Sequence, residues 1–165
     1  MTDTKLKETV YKEFGNCVEI SNGVVSLLVT VDFGPRIIRY GFVGKDNMFC
    51  EKSGDSTPSL GGDYKIRGGH RLWHSPEQLP RSYMPDNDPV KWEPIEAGIR
   101  VSQETESWTQ IKKEMEITLN PSDGRVKIAH KLTNKNAWPV EYAAWGLSMM
   151  APGGVQVIPQ IKKDT

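Results

Sequence analysis

The chain has no excess of charge of either sign. Its 21 lysine and arginine residues are balanced by 21 aspartate and glutamate residues, so the formal net charge is zero. Domains that bind nucleic acid usually concentrate positive charge. The balance therefore argues against a nucleic-acid partner.

A long hydrophobic run is also lacking. The longest mostly apolar stretch extends from Val24 to Val31 and is interrupted by Ser26 and Thr30, whereas a membrane-spanning helix needs about 20 apolar residues. The first eight residues carry charges where a secretory signal would have an apolar core. These features predict a soluble, cytoplasmic protein without a membrane partner.

Cysteine is scarce, since the 165 residues include only Cys17 and Cys50. Their spacing matches no metal-binding pattern, and a disulfide between them would be disfavoured in a reducing compartment. We expect both to be buried thiols. We also expect no metal and no other cofactor.

Glycine and proline, by contrast, are frequent: 15 glycines and 11 prolines make up about 16% of the chain, against roughly 12% in average proteins. They interrupt helices. Between them, apolar and polar residues alternate as in half-buried strands, over 16–20, 24–31, 36–42, 109–119, 126–132, 142–150 and 155–158. Asn22-Gly23 predicts a hairpin turn. We therefore predict a single all-β domain over residues 1–165, an antiparallel β-sandwich.

Two segments are less regular. Leu6, Val10 and Phe14 recur at helical spacing, although Thr9-Val10-Tyr11 fits a strand equally well. Residues 51–89 are predicted to form a long irregular region, and long loops in compact domains usually carry function.

The densest group of reactive side chains surrounds a Gly-Gly pair in that region. If the segment is extended, His70 and His74 point to one side while Arg71 and Trp73 point to the other. Imidazoles, a guanidinium, an indole ring and the nearby carboxylate of Glu77 together suit a small polar ligand with an apolar face. Sugars are ligands of that kind.

The same residues also have simpler interpretations. His70 and His74 are four residues apart, as in some zinc-binding helices, but Arg71 stands where the required glutamate would be. Trp73 could be a core residue, and Arg71 could be a structural ion-pair partner of Glu77. His130 lies on an apolar strand face, which is typical of a hydrogen-bonded core histidine.

Three segments are similar to a known family: Asp32-Phe33-Gly34-Pro35-Arg36, Gly69-His70-Arg71-Leu72-Trp73 and Met150-Ala151-Pro152-Gly153-Gly154. Together with the strands around them, from about Val18 to Gln160, they resemble the galactose mutarotase-like (aldose 1-epimerase-like) superfamily, and more closely one of its bacterial branches. The resemblance implies a β-supersandwich, in which large antiparallel sheets pack together and a sugar binds in a cleft on one of them.

The resemblance also implies a mechanism. In the mutarotases of this superfamily a histidine protonates the ring oxygen of an aldose while a glutamate removes the proton of the anomeric hydroxyl. By position, His70 matches that histidine as the general acid, and Arg71 matches a hydroxyl-binding residue. The family's second histidine and its glutamate lie on later strands, and Glu141 does not fit as the base. We therefore expect this chain to be the first part of a longer family domain. Alone it should be incompetent in catalysis, and it should form a homodimer through exposed sheet edges or faces.

Three functions remain open, the first being an aldose or sugar-phosphate 1-epimerase with His70 as its acid. The second is a non-catalytic module for a small-molecule carbohydrate, with Arg71, Trp73, His74 and Glu77 as the substrate-binding residues. The third is an interaction domain that uses the aromatic loop 64–92. A carboxylate facing His70 across a cleft would favour the first over the second, and a filled cleft with Trp73 buried would favour the third.

The charge of the sugar is also left open by the sequence. Arg67, Arg71 and Arg81 permit a phosphorylated sugar without requiring one.

Overall fold

Alternation of side chains shapes the longest strands, and in Ile111–Leu119 every second residue is buried. The structure is a computed structural model, and it describes residues 4–160. Its strands are β1 (Lys5–Val10), β2 (Asn16–Ser21), β3 (Val25–Thr30), β4 (Arg36–Phe42), β5 (Ser56–Ser59), β6 (Gly62–Lys65), β7 (Gly69–Ser75), β8 (Lys91–Ile95), β9 (Gly98–Ser102), β10 (Ile111–Leu119), β11 (Val126–Asn134) and β12 (Ala143–Met149). Two short 3-10 turns, Lys12–Phe14 and Arg81–Tyr83, are the only helical pieces in this part of the chain.

The strands form two antiparallel sheets and a separate hairpin. The six-stranded sheet has the order β1-β2-β3-β4-β7-β12, and the four-stranded sheet has the order β11-β10-β9-β8. Among the described strands, β5 and β6 pair only with each other. Aliphatic side chains of both sheets, among them Val18, Leu27, Leu72, Met115 and Ile117, form one buried cluster. The prediction of an antiparallel all-β sandwich is confirmed.

The six-stranded sheet has two differently covered faces. Its inner face contributes to the cluster that it shares with the four-stranded sheet. Its outer face carries a second buried cluster that includes Phe14, Cys17, Leu28, Phe33 and Ile38. Successive side chains along a strand of this sheet therefore alternate between the core shared by the two sheets and the outer cluster.

Several boundaries follow the sequence closely. Residues 36–42 coincide with β4, and the hairpin at Asn22-Gly23 joins β2 to β3. Asn22 holds this turn because its side-chain oxygen accepts hydrogen bonds from the backbone N–H groups of Val24 and Val25, both at 3.0 Å. The ambiguous segment 6–14 is a strand followed by a short 3-10 turn.

Other predictions were wrong. The region 51–89 is not wholly irregular, because it contains the β5–β6 hairpin and the interior strand β7. Residues 155–158 form no strand; Val155 is 93% exposed, and within residues 4–160 no strand pairs with this segment. Cys17 is buried as expected, but Cys50 is only half-buried. Strands β8 and β9 were not anticipated.

Within residues 4–160 we find no helix with the length and apolar character needed to cross a membrane.

Candidate functional site

Strand β7 carries most of the reactive side chains singled out by the sequence. It lies between β4 and β12 in the six-stranded sheet. His70 and His74 point to the inner face, toward the four-stranded sheet, and Arg71 and Trp73 point to the outer face. The alternation expected for an extended segment is therefore confirmed, and it divides these residues between two sides of one sheet.

A glycine lets β7 lie close to β4. Gly69 has a φ of +69°, and a Cβ atom there would come within 2.3 Å of the carbonyl oxygen of Ile37. Any larger residue would push the two strands apart. The close approach brings the neighbouring side chains of Arg36 and Arg71 side by side on the outer face.

Arg71 lies flat against aromatic rings on the outer face. Its guanidinium carbon is 4.1 Å from the ring centre of Trp73 and 5.1 Å from that of Tyr64. Burial and the nearby charge of Arg36 lower the pKa of Arg71 to about 10, so it is still charged at neutral pH. No hydrogen bond or ion pair joins this guanidinium to another residue in the described part of the chain. Its N–H groups are fixed in place without a protein acceptor.

Two further arginines share one carboxylate beside Arg71. The side chain of Arg36 is 1% exposed and donates from Nη2 to Oδ2 of Asp86 at 2.6 Å, and from Nη1 to the carbonyl oxygen of Gly68 at 2.6 Å. Arg67 Nη1 lies 3.2 Å from Oδ1 of the same Asp86. Burial would raise the pKa of Asp86, but the two arginines outweigh it and hold that pKa below its usual value. The charges of Asp86 and Glu77 act to raise the pKa of Arg71, but neither carboxylate forms an ion pair with it.

The three arginines line a cavity of about 220 Å³, which we call the arginine pocket. Gly68, Gly69, Leu147 and Met149 form further parts of its wall. Pockets for drug-sized ligands have volumes of roughly 300–1,000 Å³. The arginine pocket therefore suits a smaller molecule with both polar and apolar surface.

Trp73 does not offer its ring to a ligand. It is 6% exposed, and it packs edge-to-face against Tyr83, Tyr64 and Trp145 at centroid distances of 5.0, 5.8 and 5.8 Å. Its interpretation as a core residue is confirmed. The aromatic group instead holds the guanidinium of Arg71 from below, a cation–π contact of about 0.5–2 kcal/mol.

Glu77 lies at the margin of this aromatic group. Its carboxylate accepts a hydrogen bond from the Tyr83 hydroxyl, and that contact raises the pKa of Tyr83. It makes no ion pair with Arg71, and it does not line the arginine pocket. Glu77 is therefore linked to the pocket by contacts through Tyr83 and Trp73, and by its charge, which acts to raise the pKa of Arg71.

On the inner face, His70 joins the two sheets. Its Nδ1 lies 2.8 Å from Oγ of Ser148 on β12, and its Nε2 lies 2.8 Å from Nε2 of His130 on β11. Burial, with His130 and Arg36 nearby, lowers the pKa of His70 to about 4. Burial also lowers the pKa of His130. Both imidazoles are neutral at pH 7, so one ring donates a hydrogen bond that the other accepts.

His74 lies in a second polar group between the sheets. Its ring is fully buried, and neither ring nitrogen has a hydrogen-bond partner among residues 4–160. Nearby, the buried Lys113 ammonium lies 2.5 Å from Oε1 of Glu106, whose Oε2 is 3.9 Å from His74 Nε2. Burial and the charge of Lys113 lower the pKa of His74 to about 4, although Glu106 acts in the opposite direction.

The five predicted site residues thus do not share one pocket. Arg71 is in the arginine pocket with Trp73 beneath it, Glu77 is beyond Tyr83, and His70 and His74 are on the opposite side of the sheet. Among residues 4–160 no group of three or more histidine, cysteine, aspartate or glutamate side chains is arranged to hold a metal ion.

Sequence reasoning missed the partners of these residues. Asp86 is 50 positions from Arg36, and Ser148 is 78 positions from His70. No local pattern links them. Lys113 could have been found from the sequence, because it is a charged residue at one of the inward-facing positions of the alternating strand β10.

Comparison of the chain with protein-family models, with curated proteins and with solved structures gives no match.

Proposed function

We propose that this protein binds a small carbohydrate in the arginine pocket. The observation that carries the proposal is the Arg71 guanidinium, which stacks on Trp73 and Tyr64 and has no acceptor among residues 4–160. It faces a cavity of about 220 Å³. A fixed donor with unused N–H groups is ready for a ligand oxygen at little cost in side-chain entropy.

The rest of the pocket wall fits the same class of ligand. Hydroxyl oxygens of a sugar can accept hydrogen bonds from guanidinium groups, which are stronger than bonds between neutral partners. Leu147 and Met149 provide apolar surface for the C–H face of a sugar ring. The resemblance of three sequence segments to mutarotase-like proteins, which bind sugars, also supports a carbohydrate ligand.

Binding without epimerisation is the form of this function that the geometry favours. His70 is 8% exposed, both of its ring nitrogens are engaged, and its low pKa leaves it without a proton to give at pH 7. Its partners are Ser148 and His130, and no carboxylate hydrogen-bonds to it within residues 4–160. An acid that must protonate a sugar oxygen needs a pKa near the working pH.

Calorimetric titration with a panel of monosaccharides tests the proposal. We expect at least one sugar to bind, and Arg71→Ala to weaken it about 10- to 100-fold, the effect of losing a charged hydrogen bond. Arg125→Ala is the matched control, because Arg125 is an exposed arginine outside the pocket. Circular dichroism would verify that both variants fold. Equal binding by Arg71→Ala and wild type would exclude the arginine pocket as the site.

A second candidate is a protein-contact function of β12. This strand contains no charged residue, and no strand within residues 4–160 pairs with its outer edge. Met149 is 40% exposed and Met150, which follows the strand, is 53% exposed. Uncharged edges readily recruit another strand.

The occupant that we propose for this edge is β12 of a second copy. In light scattering, the wild type should have twice the mass of one chain. Ala144→Lys, which places a charge at an exposed position of β12, should restore the monomer. A wild-type monomer at all concentrations would rule out this contact.

A further inference from the structure

We infer that the arginine pocket receives the negatively charged group of an acidic sugar, either a carboxylate or a phosphate. The inference rests on the proposed function, because it specifies the carbohydrate that the pocket selects.

The charges around the pocket do not balance. Arg36, Arg67 and Arg71 line it, and Asp86 is the carboxylate paired with the first two. Arg36 and Arg71 are direct neighbours across the β4–β7 ladder. Like charges placed together in a half-buried site repel each other, and an anion between them removes that repulsion.

The pocket is also built with donors that the protein does not use. Arg36 is 1% exposed, and its Nε is buried without any hydrogen-bond partner in residues 4–160. Within residues 4–160 the guanidinium of Arg67 makes one hydrogen bond, from Nη1 to Asp86, and that of Arg71 makes none. A buried donor without a partner is costly, so native proteins rarely keep one without a reason.

Aromatic rings help to orient two of the guanidinium groups, in addition to the ion pair between Arg67 and Asp86. The guanidinium carbon of Arg67 is 4.0 Å from the ring centre of Phe33, and that of Arg71 is 4.1 Å from the ring centre of Trp73. An aromatic face holds the plane of a guanidinium but leaves the N–H groups at its edge free. Planar forks of this kind match the paired oxygens of carboxylates and phosphates.

A neutral sugar would use these donors only in part. Its hydroxyl groups supply acceptors but no charge, so the repulsion between Arg36 and Arg71 would remain. A uronate or a sugar phosphate supplies both the acceptors and the charge, while its ring can contact Leu147 and Met149. The charge of the pocket thus determines which carbohydrate it prefers.

Matched pairs of ligands test the inference by calorimetry. Glucose is compared with glucuronate and glucose 6-phosphate, galactose is compared with galacturonate, and inorganic phosphate is titrated alone. We expect at least one acidic sugar to bind about 10- to 100-fold more tightly than its neutral counterpart. Arg71→Gln should reduce that ratio about tenfold or more, whereas Arg125→Ala should leave it unchanged.

The outcomes separate this inference from the proposed function. If neutral and acidic sugars bind equally well, carbohydrate binding stands and the preference for an anion is wrong. If no sugar binds but phosphate binds in an Arg71-dependent manner, the anion site stands and the carbohydrate function is wrong. If neither sugars nor phosphate bind, both are wrong. Comparison of the uronate with the 6-phosphate identifies which anion the pocket receives.

Discussion

The buried histidines His70 and His74 should make the stability of this protein fall steeply between pH 7.5 and pH 5. The pKa of each is about 4 in the folded protein, whereas an unfolded histidine has a pKa near 6.5. As the pH falls below 6.5, these histidines become protonated in the unfolded chain but stay neutral in the folded protein. The resulting stability is complete above pH 6.5 and is lost as the pH falls toward 4.

The size of the effect follows from the two pKa values. Lowering the pH from 7.5 to 5 should reduce the free energy of unfolding by about 2 kcal/mol for each of the two rings. Solvent screening reduces this little, because His70 is 8% exposed and His74 is 0% exposed. For a domain stabilised by roughly 5–15 kcal/mol, a loss of that order is large.

The variant His74→Leu isolates one of the two contributions. His74 makes no hydrogen bond in the structure, so leucine removes the titration without leaving a partner unsatisfied. The variant should be at least as stable as the wild type at pH 7.5, and more stable by about 2 kcal/mol at pH 5.

Urea unfolding followed by tryptophan fluorescence at pH 7.5, 6 and 5 measures the free energy of unfolding of the wild type and of His74→Leu at each pH. If the wild type and His74→Leu lost the same amount of stability between pH 7.5 and pH 5, His74 would not be the source of the predicted loss. A wild-type stability that is constant down to pH 5 would likewise show that neither ring is kept neutral by burial.

Two further predictions concern other buried groups. Lys113→Met should destabilise the protein by roughly 3–5 kcal/mol, because it leaves the buried carboxylate of Glu106 without its cation. In urea unfolding, the double variant that also carries Glu106→Gln should regain most of this stability. An unchanged unfolding midpoint for Lys113→Met alone would contradict the ion pair. A thiol reagent should modify the half-buried Cys50 in the folded protein but reach Cys17 only on unfolding, because burial raises the pKa of Cys17 to about 12. Mass spectrometry of the labelled peptides checks this, and rapid native labelling of Cys17 would contradict it.

The sequence by itself determined the class of fold and much of its local structure. Strands β4, β10 and β11 follow from alternation along the chain, because a side-chain period of two is a property of each strand alone. Asn22-Gly23 specified its turn for a similar reason, since the hydrogen bonds of Asn22 to Val24 and Val25 are local. The same local rule assigned His70 and Arg71 to opposite faces of β7.

Only the tertiary structure determined which residues contact the two faces of β7. The strand β7 was hidden among glycines and prolines, and its interior position depends on pairing with β4 and β12. Residues 155–158 have the pattern of a strand, but no strand in the described part of the chain pairs with them, so the pattern alone was insufficient.

The candidate site shows the same division. Sequence identified Arg71 and Trp73, yet it could not show that Trp73 is buried beneath the guanidinium. Nor could it show that Asp86 pairs with Arg36 and Arg67, while Arg71 has no ion pair among the described residues. Those contacts join residues far apart in the chain, and their strength depends on burial, which exists only after the sheets have packed. Local periodicity determines the direction in which a side chain points, and the packing of the sheets determines the partner, charge and solvent that it finds there.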